Sequence, residues 1–95
     1  MKEKDKEKEF LPLVDFTSLV LPFYTQALVK LGEVEDPISK KKEKNLEFAK
    51  RLIDLLDLLK KKTEGNLEEK EKDFLESSIY QLKMLYLKKA NIIKL

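Results

Sequence analysis

The stretch that most constrains the fold runs from Arg51 to Leu87, RLIDLLDLLKKKTEGNLEEKEKDFLESSIYQLKMLYL, two long amphipathic runs parted by a polar turn. Lys60, Lys61 and Lys62 place positive charge where the free carbonyls of a helix end favour it. Gly65 supplies the stop. Asn66 is in position to cap the following helix, with Glu69 at the third helical position to complete a capping box. Thr63, Gly65 and Asn66 are therefore the turn residues, and the pattern predicts two helices folded back as a long antiparallel hairpin.

The first of these helices is expected over about residues 44–62. At about 100° per residue, Leu46, Phe48, Ala49, Leu52, Ile53, Leu55, Leu56, Leu58 and Leu59 cover roughly 240° of its circumference. Only a strip around Asp54, Asp57 and Lys61 stays polar. A helix of this kind must be covered on more than one side. Its successor, over about residues 67–89 with a possible continuation to Ile93, carries Phe74, Leu75, Ser78, Ile79, Leu82, Leu85 and Tyr86 on its main face. Tyr80, Met84 and Leu87 form a second row on roughly the opposite side.

Upstream, a helix is expected from about residue 15 to residue 31. Asp15, Thr17 and Ser18 can each cap it, and Phe16, Val20, Phe23, Tyr24, Ala27 and Leu31 recur at steps of three and four. Gly32 ends it. Pro22 falls inside the pattern, which predicts a kink or a late start, because proline lacks the backbone donor and crowds the preceding turn. Glu33 to Lys44 is a linker, with Asp36-Pro37 as a turn signal and then Lys40, Lys41, Lys42 and Lys44. Met1 to Glu9 alternates Lys with Glu or Asp and has no apolar residue after Met1, so a disordered, solvated tail is expected there, followed by an apolar approach segment at Phe10 to Leu13; residues 13–95 are expected to form a single helical domain.

At LGEVEDP (Leu31 to Pro37), RLIDLL (Arg51 to Leu56) and KKTEGNLEE (Lys61 to Glu69), the chain resembles a small bacterial family catalogued as domain of unknown function 1844. The shared pattern is an apolar helix ending in Leu-Gly, an Asp-Pro, then Ile-Asp-Leu-Leu, Lys-Thr-x-Gly-Asn-Leu and an amphipathic last helix. It covers about residues 16 to 87. Pro22 stands where the family pattern favours a small residue, and Glu68 where Thr or Ser is usual, which favours Asn66 as the cap. The resemblance implies a short helical protein and supplies no activity.

Composition narrows the chemistry. The chain has 95 residues with no Cys and no His, which removes disulfides, thiolate and imidazole metal sites and the commonest catalytic base. Asp54 and Asp57 lie three apart, but with Lys50, Arg51 and Lys61 beside them surface ion pairs are expected rather than a catalytic pair. Thr63 to Asn66 has neither the glycine repeat nor the preceding strand of a phosphate loop. Ser77 and Ser78 have no base partner and are read as small residues at a helix contact. No enzyme, cofactor or metal is expected.

Net charge is only +2 although 40% of residues are charged. This Lys/Glu-rich, Cys-free balance suggests the ion-pair networks of a heat-adapted source. The uncharged run Phe16 to Val29 spans fourteen residues, too few to cross a bilayer, and acids interrupt any basic leader at the N-terminus. Cytoplasmic residence is the expectation.

These readings converge on an all-α, three-helix domain, with the first helix packed across the hairpin, that assembles into an oligomeric bundle. A chain this short has a small core, and the surplus apolar residues Leu55, Leu58, Leu59, Tyr80, Met84 and Leu87 are the expected interaction surface, toward a second copy or another protein. The alternative is weak nucleic-acid association through Lys40, Lys41, Lys42 and Lys44.

Overall fold

The computed structural model describes residue 11 and residues 13–91, which form three helices and no strand. The expected tail at Met1 to Glu9 and a continuation to Ile93 lie outside the described residues. Helix α1 spans Phe16–Lys30, α2 spans Leu46–Lys62 and α3 spans Glu69–Lys89.

Asp15 starts α1, its Oδ1 accepting the Ser18 N–H at 2.8 Å. The late start is not taken: Pro22 is the seventh helical residue, and its missing N–H deprives the Ser18 carbonyl of the usual donor four residues on. At the other end Gly32 has φ +79°, a left-handed conformation that costs an L side chain. It allows Glu33 N–H to reach Leu28 O at 3.0 Å and Gly32 N–H to reach Val29 O at 3.0 Å, the paired bonds of a Schellman end.

The linker is organised by Asp36. Its Oδ1 accepts the N–H groups of Ile38 at 2.8 Å and Ser39 at 3.3 Å. Backbone bonds from Lys40 N–H to Asp36 O and from Asp36 N–H to Lys41 O close the loop at 2.8 and 2.9 Å. The chain then returns to α1, where Asn45 N–H donates to Lys30 O at 2.7 Å. That bond ties the end of α1 to the start of α2, and the Asn45 side chain caps α2 by accepting Phe48 N–H at 3.1 Å.

Thr63 closes α2, its hydroxyl donating to Leu59 O at 2.8 Å, and Gly65 follows at φ +85°. The cap of α3 is Glu68 rather than Asn66. Glu71, the third helical residue, reaches back to accept Glu68 N–H at 2.9 Å, so the acidic box sits two residues later than the sequence pattern suggests. Leu67, just before the cap, packs against the core.

Val20, Ala27 and Leu31 of the first segment, Ala49, Leu52, Ile53 and Leu56 of α2, and Leu75, Ile79 and Leu82 of α3 form one buried cluster. Each helix touches both others. Buried Ser78 gives α3 a small side chain within its core-facing row. Around the cluster, Tyr24 donates its hydroxyl hydrogen to Gln81 Oε1 at 2.8 Å, linking α1 to α3. Asp57 pairs with Lys83 at 2.9 Å and Lys60 with Glu76 at 3.6 Å, linking α2 to α3. Lys89 reaches Glu33 in the linker at 3.1 Å.

Candidate functional site

The width of the apolar face on α2 decides where a working surface lies. Ala49, Leu52, Ile53 and Leu56 point into the core, and the rest of the face is left to whatever flanks it. On one flank α3 supplies charged partners, Lys83 for Asp57 and Glu76 for Lys60. On the other, α1 covers the face only in part. Phe48 is 44% exposed, Leu55 43% and Leu58 49%, values far above those of the core leucines on the same helix.

Leu55, Leu58 and Leu59 come together with Phe23 of α1, Leu56 and Lys62 around an open groove of about 310 Å³. Among the described residues Lys62 is the single charged one on its wall. Further along, Lys30 of α1 places its Nζ 4.8 Å from the centre of the Phe48 ring, a cation over an aromatic face. α1 thus borders the exposed part of the α2 face at two places, through Phe23 on the wall of the groove and through Lys30 over Phe48.

Phe23 is the residue that sequence reasoning assigned differently. It shares the spacing of the α1 core face, yet it is 38% exposed and forms a wall of the groove. The available signal was its angular position, about 60° to one side of the line through Val20, Ala27 and Leu31. Tyr80 is exposed, while Met84 and Leu87 are half-buried, and none of the three lines this groove.

A larger, more polar hollow of about 910 Å³ lies at the α2–α3 turn and includes Thr63 and Gly65 but not Asn66. Several of its charges are already paired: Asp54 with Lys50 at 3.0 Å, Asp57 with Lys83 and Lys60 with Glu76. A ligand entering there competes with existing ion pairs, whereas the apolar groove has only water to lose. The smaller groove is therefore the better candidate. Five of the six described residues that line it are apolar, so what it offers is chiefly apolar contact.

The four linker lysines are all exposed. Lys40 takes a left-handed conformation at φ 62° in the Asp36 loop. The stem of Lys44 lies over Gly32, where an added Cβ would come 2.7 Å from Lys44 Cγ. Lys40, Lys41 and Lys42 remain on the outside of the loop, and no described residue holds them in an ion pair. Among the described residues no helix is long and apolar enough to cross a membrane.

Compared with known proteins, the chain matches the sequence profile of a family described as Domain of unknown function (DUF1844) over residues 13–88. That span takes in all of α1 and α2 and all but the last residue of α3. No curated protein and no solved structure matches it.

Proposed function

The chain belongs to the DUF1844 family, and from that premise we propose that it is a homo-oligomeric interaction or scaffold module of the cytoplasm, without enzymatic activity. The observation that carries the reading is the open groove of Phe23, Leu55, Leu58 and Leu59 on a domain with a small core. Apolar surface of this kind on a short chain gains stability when another helix covers it. Tyr80, Met84 and Leu87 offer α3 a second surface for the same use.

The reading includes the antiparallel hairpin of α2 and α3. Its support is the order of the ion pairs: Asp57 meets Lys83 while Lys60, further along α2, meets Glu76, earlier on α3. It also includes a heat-adapted bacterial source, supported by the ion pairs that join α2 to α3 and α3 to the linker. Melting below about 65 °C counts against that source.

The direct test is absolute mass by light scattering across a concentration series. A dimer or larger species is expected, reduced to a monomer by Leu58→Glu with helical circular dichroism retained. A wild-type monomer at every concentration overturns self-association. The second reading, nucleic-acid contact, is favoured only by the outward position of Lys40, Lys41 and Lys42. It requires affinity for generic duplex that falls steeply with salt.

A further inference from the structure

The exposed side of α2 carries a narrower pattern than an open groove requires. Phe48, Arg51, Leu55, Leu58 and Lys62 follow one another at alternating steps of three and four, the spacing of a seam between two helices. All five are exposed. On one flank of this seam lie Leu52, which is buried, and Leu59, which is half-buried and beside Phe23, so α1 occupies that side. The other flank is open and carries Glu47, Asp54 and Lys61 in that order. Asp54 is held by Lys50 at 3.0 Å. Glu47 and Lys61 are exposed and in no ion pair with a described residue.

We propose that the occupant of this face is a second copy of the same chain, laid with its α2 antiparallel to the first about a two-fold axis near Ile53 and Asp54. The proposal rests on the self-association argued above and adds the partner's register. An acid at one end of the open flank and a base at the other are complementary to themselves only when the second helix is reversed. In that arrangement Phe48 faces Leu58 of the second copy, Arg51 lays its stem along Leu55 of the second copy, and Glu47 meets Lys61 of the second copy. Two-fold symmetry makes each contact twice. A parallel pairing instead brings Arg51 onto Arg51 within the apolar seam, a like-charge contact that the antiparallel register avoids. The antiparallel register brings Asp54 near its own copy at the axis, where each is neutralised by its Lys50, and leaves Lys62 facing Lys44 at the solvated ends.

Charge reversal on the full chain tests this register. Glu47→Lys and Lys61→Glu each weaken the dimer about tenfold, because each creates two like-charge contacts, and the combined variant returns to within about threefold of the parent. Since the chain has no cysteine, the doubly substituted Glu47→Cys, Lys61→Cys chain gives a second readout: it forms a covalent dimer under mild oxidation, and Glu47→Cys alone does not. A dimer abolished by Leu58→Glu but indifferent to both charge reversals overturns the antiparallel seam and leaves self-association standing. Single reversals that weaken the dimer without rescue in the combined variant overturn the pairing of Glu47 with Lys61. A wild-type chain that stays monomeric overturns this inference together with self-association.

Discussion

The two sides of α2 differ in how they are finished. Toward α3 the helix meets Leu75, Ile79 and Leu82 in the core, and outside that contact Asp57 and Lys60 find Lys83 and Glu76. Away from α3 it meets α1, which reaches Phe48 with the Lys30 ammonium and sets Phe23 on the wall of the groove but leaves Leu55 and Leu58 exposed. One side is flanked by two ion pairs beside a buried apolar centre, and the other stops partway across an apolar face. The same seventeen-residue helix thus supplies both the core and the candidate interaction surface.

That contrast is sharpest between neighbours. Leu56 is 1% exposed and Leu55 is 43% exposed. Replacing Leu56 by Ala is expected to cost about 2 to 5 kcal/mol in urea unfolding, the usual range for a buried leucine whose site cannot collapse. Leu55→Ala is expected to change monomer stability by no more than about 0.5 kcal/mol. Similar costs at the two positions, measured at a concentration that holds the protein monomeric, break the comparison.

The seat of α1 beside α2 depends on the linker that ties Lys30 to Asn45. Gly32→Ala forces a left-handed side chain and pushes on Lys44, so a loss of about 1 to 2 kcal/mol is expected in thermal or urea unfolding. The cap of α3 gives a smaller effect. Glu71→Ala is expected to cost about 0.3 to 1.5 kcal/mol, while Asn66→Ala changes little, and the reverse ranking restores Asn66 as the cap. A small, salt-dependent change belongs to the α2–α3 ion pairs: Lys83→Ala removes an exposed pair worth about 0.2 to 1 kcal/mol, and raising salt should erase the difference from the parent.

Much of this architecture was legible from local chemistry. The helix end at Gly32, the candidate caps from which Asp15 is the one used, and the wide apolar face of α2 each rest on residues within a few positions of one another. Asn66 was misread because its spacing to Glu69 satisfies the same rule that Glu68 and Glu71 satisfy, so spacing alone does not choose between them. Phe23 was misread because a helical step of three or four identifies a face without locating its edge. Val29 is buried although it lies nearly opposite the α1 core face, at the end where the linker returns and binds Lys30.

By itself, the sequence determined three helices, their approximate limits, their turns and the family pattern, because caps, glycine stops and hydrophobic periods act through bonds and side chains one turn apart. Tertiary structure alone decided which part of the α2 face α1 would cover, that Asp57 would pair with Lys83, and that Leu55 and Leu58 would remain open beside Phe23. Those outcomes depend on contacts between residues tens of positions apart. A helix's own period states how much apolar surface needs covering, while the placement of its neighbours decides how much is covered.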